Sequence, residues 1–571
     1  MSLSRHIDPD EVIQKSKDHP RTGHRLSHEN RVAHQSWSRD EDAAGVPKYR
    51  MPDVGIPSKA AYQLLHDETA LDGNPLLNLA SFVHTWMPDE ATKLIMENIN
   101  KNQVDLDEYP AATMIHNRCV SMVASLWKAP TASTNAIGTS TAGSSEAIML
   151  AGLALKKRWQ NARRAADKPS SNPNIVFGSN AQVALEKFAR YFDVECRLVP
   201  VKASNNYVMD PKDALAFIDE NTIGVMVILG STYTGHFENV KEMSELLDEF
   251  QQKTGLDIPI HVDAASGGFI APFAYPSLQW SFDVPRVVSI NTSGHKFGLV
   301  YAGIGWVIWR DEQYLSKDLV FELHYLGSVE YSFTLNFSKP ASPIIAQMFN
   351  FLNLGFEGYR KIAFKDLRNA RLLSRALEGT GWYKVLSNIH RVLPGKDADD
   401  DPESYEPGLP VVSFTLSDEF KQKYPHVKQV WVQSLLRTKG WIVPNYGAPQ
   451  GEENTEMLRV VVRETLSEDL IERLITDIFE VTESIMEIDE TGAEMLLATS
   501  RTTMHQPDRE HGRPEKDNFG DSVKEGGERT KAKRDSRGSV DCRNGSSNGD
   551  KAWNFKLYII VVSGSKKCMY I

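Results

Sequence analysis

The sequence predicts an α/β fold: a mostly parallel sheet with crossover helices, followed by a small C-terminal α+β domain. Three observations carry that expectation. Short β-branched runs alternate with amphipathic helical segments from residue 144 to about 310; the strand runs are almost continuously apolar; and capping residues stand where the periodicity ends each helix. Apolar strands of this kind need cover on both faces, which the crossover helices of a parallel sheet provide.

Taken in order, residues 1–55 are polar and rich in His, Arg, Asp and Ser, and read as an arm that orders only against the body or a partner chain. ATKLIMENINKN (91–102) and ATMIHNRCVSMVASLW (112–127) have helical spacing, with Pro110 and Ala111 at the start of the second. SSEAIMLAGLALKKRWQNARR (144–164) is a further helix. The strands expected are NIVFGS (174–179), CRLVPV (196–201), TIGVMVILG (222–230), IPIHVDAA (258–265), RVVSINTSG (286–294) and AGIGWVIWR (302–310). Between them lie the helices QVALEKFARYFD, DPKDALAFIDEN with Asp210 as N-cap and Pro211 at N1, and NVKEMSELLDEFQQKTG, ended by Gly255. A helical block from Ala346 to Thr380, the strands VVSFTL and MLRVVVRE and a last helix, LIERLITDIFEVTESIMEI, make the small domain. Beyond Thr499 apolar residues nearly vanish, so a disordered tail is expected. The resulting division is 1–55, 56–345, 346–498 and 499–571.

The charge follows this division. The 571 residues carry 64 Lys and Arg against 75 Asp and Glu, a net −11, yet the last 71 hold 15 against 10, so the first 500 stand at −16. An acidic body excludes nucleic acid as the expected partner, since phosphate contacts need a basic face. No run of about 18 apolar residues and no apolar core of signal-peptide length occurs, and Cys119, Cys196, Cys542 and Cys568 lack disulfide or metal-ligand spacing. A cytoplasmic protein is expected, with no membrane and no metal.

Four features fall at strand ends or helix starts, where open α/β sheets bind ligands. TSTAGSSEA puts Gly143, Ser144 and Ser145 at a helix N-terminus suited to a phosphate, although a serine cap alone would account for such a motif. HVDAASGGF ends a buried strand on Asp263, a carboxylate that needs a cationic or protonated partner unless it only caps. NTSGHKFG places Lys296 in a Ser/Gly-rich turn, where a partly desolvated lysine can form a Schiff base; an ordinary solvated lysine is the alternative. GSTYTG adds the hydroxyls of Thr232 and Thr234. A phosphate nest, a buried acid and an imine-forming lysine together are the parts a pyridoxal 5'-phosphate enzyme requires.

The stretches NLASFVHTW, NKNQVDLDEYP, GSSEA, KFARY, STYTG, HVDAASGGFIAPF, SGHKFG, GWVIWRDE and NFSKPA resemble glutamate decarboxylases of the bacterial, plant and fungal type, over about Asn78 to Glu480. The resemblance implies a fold-type I pyridoxal phosphate enzyme that decarboxylates L-glutamate to 4-aminobutanoate. By motif position it implies Lys296 as the lysine carrying the cofactor, Asp263 as the partner of its ring nitrogen, His295 beside the phosphate and Gln182 over the ring. Ser144, Ser145, Thr232 and Ala265 match further cofactor positions, and Ser338 one that reaches a neighbouring subunit's phosphate. For substrate it implies Ser81 and Phe82 near the distal carboxylate, Asn102 and Asp105 from across a dimer, and Arg459 for a carboxylate. Ser81 replaces the threonine expected of bacterial members. Lys296 or Tyr325 would return the proton to the α-carbon. A homodimer is the minimal unit so implied, a hexamer the larger one.

Two rival functions stay open at this level: decarboxylation of aspartate or an aromatic amino acid, and an inactive scaffold of the same fold. The last segment, with Trp553, Phe555, Leu557 and Ile560 among lysines, loosely resembles the calmodulin targets of plant relatives, though its LYIIVV run lacks a helical moment. The tail has no counterpart of the C-terminal histidine with which bacterial members close their site.

Overall fold

The computed structural model describes residues 49–131, 136–323 and 330–487, with 32–33, 46–47 and 492. The chain divides into residues 1–506 and 507–571, and all described residues belong to the first unit. Most of the N-terminal arm, Tyr325 and the segment 549–571 considered for calmodulin lie outside the described residues.

Seven strands form the main sheet: β1 (Ile137–Thr141), β2 (Asn174–Gly178), β3 (Glu195–Val199), β4 (Thr222–Ile228), β5 (Ile260–Asp263), β6 (Val287–Ser293) and β7 (Gly305–Trp309), in the order β1-β7-β6-β5-β4-β2-β3. All pairings are parallel except those of β7, which runs antiparallel to both β1 and β6. The six strands expected from sequence are present. β1 was not among them, because IGTST has only one large apolar residue. Every residue of β4, β6 and β7 is buried, as two-sided cover requires. Alternate residues of β4 feed different cores: Val225 and Val227 pack with Val240, Met243 and Leu247, whereas Met226 and Ile228 pack with Leu155, Leu185 and Phe188. Each such side chain contributes roughly 1.5–3 kcal/mol by leaving water.

Before the sheet come α1 (Ser58–Thr69), which buries no residue, and α2 (Asp89–Glu97); the helices that cover the sheet include α3 (Pro110–Leu126), α4 (Ser144–Ala165), α5 (Val183–Tyr191) and α6 (Val240–Thr254). Pro110 does open α3, and Gly255 ends α6 in the left-handed region at φ 76°. Asp210 caps a helix as expected, accepting from Lys212 N, but that helix is only Pro211–Ala214 and continues as a 3-10 turn. Gly152 lets α4 and α5 approach: a Cβ there would lie 2.4 Å from Phe188 Cζ.

The small domain is an antiparallel sheet of β8 (Tyr383–Val385), β9 (Val411–Leu416), β10 (Asn445–Gly447) and β11 (Glu456–Val461), ordered β8-β9-β11-β10. It is joined to the large domain by α7 (Ser342–Gly379), which bends at Gly355, φ 58°. The helix serves both cores: Ile344, Ala346 and Met348 belong to the large one, Ala370, Leu373 and Leu377 to the small one. The boundary expected at 345/346 therefore falls inside a helix. Completing the small domain are α8 (Gln429–Thr438) and α9 (Glu468–Glu487). Among the described residues no helix is long and apolar enough to cross a membrane.

Candidate active site

Parallel strands deliver their C-terminal residues to one edge of the sheet. There β5 ends on Asp263, β6 leads through Gly294 and His295 to Lys296, β4 leads into the Ser231–Gly235 turn, and β1 leads into the start of α4. Lys296 Nζ donates to Ser266 Oγ at 3.2 Å and stands 5.3 Å from the centre of the Phe82 ring. Burial pushes this ammonium down to about 8; the Arg459 charge adds to the push and Asp263 opposes it. Asp263 is 5% exposed, and its Oδ1 accepts from Ala265 N at 3.1 Å and from Asn291 Nδ2 at 2.9 Å.

His295 lies against the start of α4, where a Cβ on Gly143 would come within 3.0 Å of its Cε1. Burial, with the neighbouring Lys296 charge, holds the imidazole down at about 4. Its Nδ1 accepts from Gly303 N and Ile304 N at 3.4 and 3.3 Å. Gly143 provides no side-chain cap for α4, so the N–H groups of its first turn face the same edge without one. Ser144 and Ser145 are the first two residues of that turn.

Arg459 reaches the site from the small domain. Along β11, Leu458 and Val460 enter the small core while Arg459 points the other way, toward the large domain. One guanidinium nitrogen donates to Thr232 O at 2.8 Å and another to Ala80 O, leaving Nε buried without a partner. The guanidinium lies 5.2 Å from the centre of the Phe82 ring, which both cations therefore approach. Ser413 and Ser387, also from the small domain, donate to the carbonyls of Tyr233 and Thr234 and hold the Thr232 turn. Ser81 is half-buried, and its hydroxyl accepts from Val83 N at 3.1 Å.

Other expected residues make hydrogen bonds outside this group. Gln182 is exposed and caps α5, accepting from Ala184 N at 2.8 Å. Asn102 Nδ2 donates to Ser338 Oγ at 3.4 Å, Asp105 N donates to Asn102 O at 3.3 Å, and Ser338 is exposed. These three form a cluster of their own. The sequence reading passed over Arg463, which is 3% exposed and donates to the carbonyls of Val83, Pro75 and Asn78, fixing the segment that carries Ser81 and Phe82. It also passed over His84, whose N–H donates to His295 O at 2.8 Å. Arg463 shares the MLRVVVRE run with Arg459 one helical turn's count away, and a second arginine in so apolar a run was the available signal.

Residues 47–393 match the family described as the pyridoxal-dependent decarboxylase conserved domain. The chain belongs to the pyridoxal-dependent decarboxylase family. Among similar members are "Glutamate decarboxylase 5" of Arabidopsis thaliana, 50% identical over 453 residues (79% of this chain, 87% of that one), and the glutamate decarboxylase of Saccharomyces cerevisiae, 48% identical over 467 residues (77% and 80%). A solved structure of Lactobacillus brevis glutamate decarboxylase superposes with a TM-score of 0.72 at 36% identity, covering 79% of this chain and 98% of that one. The residues present fit the cofactor of a pyridoxal-dependent decarboxylase. They offer a lysine depressed toward neutrality, a buried carboxylate with Oδ2 uncommitted to those bonds, an uncapped helix start under His295, and buried hydroxyls of Thr292 and Ser293 without partners.

Proposed function

We propose that this chain decarboxylates L-glutamate at the α-carbon, giving 4-aminobutanoate and carbon dioxide. The observation that carries the reading is the placement of Arg459: a buried guanidinium whose Nε–H has no partner, 5.2 Å from the ring of the same Phe82 that Lys296 approaches. A dicarboxylic substrate bound at Lys296 needs such a cation nearby. The relatives named as glutamate decarboxylases support the choice of substrate.

Pyridoxal phosphate, when bound, supplies an aldehyde for the substrate's amino group and a ring that accepts the electron pair left as carbon dioxide departs. Lys296 would carry it, Asp263 would hold a proton at its ring nitrogen, and the Gly143–Ser145 helix start with His295 would hold its phosphate. Thr232, Ala265 and Gln182 would flank it. Phe82 would exclude water from the substrate and, with Ser81 and Arg459, orient it so that the α-carboxylate is the group lost. Near neutral pH Lys296 can both give up and return a proton, so it can protonate the α-carbon.

The same proposal includes a homodimer in which Asn102, Asp105 and Ser338 serve the partner's site. Their separate cluster, in which Ser338 is exposed and Asn102 and Asp105 are half-buried, supports this. A cytoplasmic location is included with it. The test is turnover of glutamate, aspartate and tyrosine by the purified protein with pyridoxal phosphate, with products identified. Faster turnover of aspartate or tyrosine, or no 4-aminobutanoate from glutamate, would overturn the reading.

A further inference from the structure

Parallel strands in register place residues i and i+2 of each on one face, side by side. Between β5 and β6 the register pairs His261 with Ser289 and Asp263 with Asn291. Four polar side chains therefore line one face of an otherwise apolar sheet interior, at exposures of 0% for His261 and Asn291, 1% for Ser289 and 5% for Asp263. They touch in sequence: Ser289 Oγ to His261 Nδ1 at 2.8 Å, His261 Nε2 to Asn291 Oδ1 at 2.7 Å, and Asn291 Nδ2 to Asp263 Oδ1 at 2.9 Å.

Only one arrangement of protons suits an ionised Asp263. The backbone N–H of Ala265 can only donate, and it already points at Oδ1. Asn291 then presents its amide N–H to the same oxygen and turns its carbonyl to His261. A neutral imidazole has one N–H, which must sit on Nε2 to meet that carbonyl, so Nδ1 accepts from Ser289. Burial holds His261 down at about 4 despite the pull of Asp263, which keeps it neutral.

We infer that Ser289, His261 and Asn291 form a neutral, one-way donor relay that fixes Asp263 as an unprotonated acceptor with Oδ2 directed to the cofactor ring. Asn291 is then a positioning residue. The reversed relay would need a proton on Asp263 Oδ1 and would carry the His261 proton on Nδ1, so the tautomer of His261 reports the state of Asp263. The inference rests on the assignment of Asp263 given above.

The full-length protein, freed of cofactor and labelled with 15N-histidine, gives the first readout, with His261 signals assigned by difference from His261→Gln. The Nε2–H tautomer is expected; an Nδ1–H tautomer overturns the relay whether or not cofactor binds. The second readout is the pyridoxal phosphate dissociation constant. Asn291→Ala is expected to raise it about 10- to 100-fold, the range a hydrogen bond to a charged group carries. Asn291→Ser, whose hydroxyl can both accept and donate, should recover part of that loss. Binding by a folded Asn291→Ala within twofold of the parent overturns the relay. If Asn291→Ala does not fold, Ser289→Ala decides: because the direction is set from the Asp263 end, a retained single Nε2–H tautomer supports the relay, and a mixture of tautomers refutes it. Failure of the parent itself to bind cofactor would instead count against the Asp263 assignment.

Discussion

Replacing Lys296 with methionine in the cofactor-free protein keeps the side chain's length and removes its charge. Burial holds the folded ammonium at about 8 against 10.5 for an ordinary lysine. The unfolded chain therefore binds the proton more tightly between those values, and stability rises with pH through the window. At roughly 1.4 kcal/mol per pKa unit, the penalty borne by the folded wild type is about 3 kcal/mol at pH 7 and about half that by pH 9.5. Against this stands the lost hydrogen bond to Ser266 at 3.2 Å, a net of about 1 kcal/mol. Lys296→Met should then be more stable than wild type by about 2 kcal/mol at pH 7, and by very little at pH 9.5. Urea unfolding of both proteins at the two pH values measures it. A variant no more stable at pH 7, or an advantage that grows with pH, would refute the placement of a depressed, desolvated lysine.

Gly152→Val should cost about 1–3 kcal/mol or more, since its Cβ would meet the Phe188 ring at 2.4 Å; thermal unfolding checks this, and an unchanged midpoint would contradict the packing of α4 on α5. His236 is buried and held at about 4, so the unfolded chain takes up its proton first as pH falls below 6.5, and stability is lost from there toward pH 4. His236→Gln should remove up to about 1.4 kcal/mol per pH unit from that slope, as read from urea midpoints between pH 6 and 4.5. Arg459→Lys keeps a charge but loses the fork that meets the Ala80 and Thr232 carbonyls, and should lower kcat/KM for glutamate about 10- to 100-fold in steady-state assays. If Asn102 serves the partner's site, mixing Lys296→Ala with Asn102→Ala subunits should restore activity that neither has alone, because the hybrid contains one intact site. Continued inactivity of a demonstrated hybrid would place Asn102 elsewhere.

Much of the fold was legible because its signals are local. Apolar strands of β-branched residues, Pro110 at a helix start and Gly255 at a helix end each depend on only a few neighbouring residues. The strand IGTST escaped because small and polar residues carry no such signal, and its place beside β7 is set by pairing alone. Asp263 and Lys296 were also readable, since Asp263 interrupts an apolar run at a strand end and Lys296 stands in the Ser/Gly-rich turn that follows one.

What the sequence determined by itself was the inventory: an α/β body, the chemical types needed for a pyridoxal phosphate site, and the family whose motifs it shares. The tertiary structure decided which of them meet. The strand register brings His261 and Asp263 into one line with Ser289 and Asn291, bonded partners 28 to 30 residues away, and the docking of β11 brings Arg459 to a turn 227 residues away. It also left Asn102, Asp105 and Ser338 in a cluster of their own. Hydrogen bonds and desolvation act over a few ångströms of space, and only folding converts sequence separation into that distance.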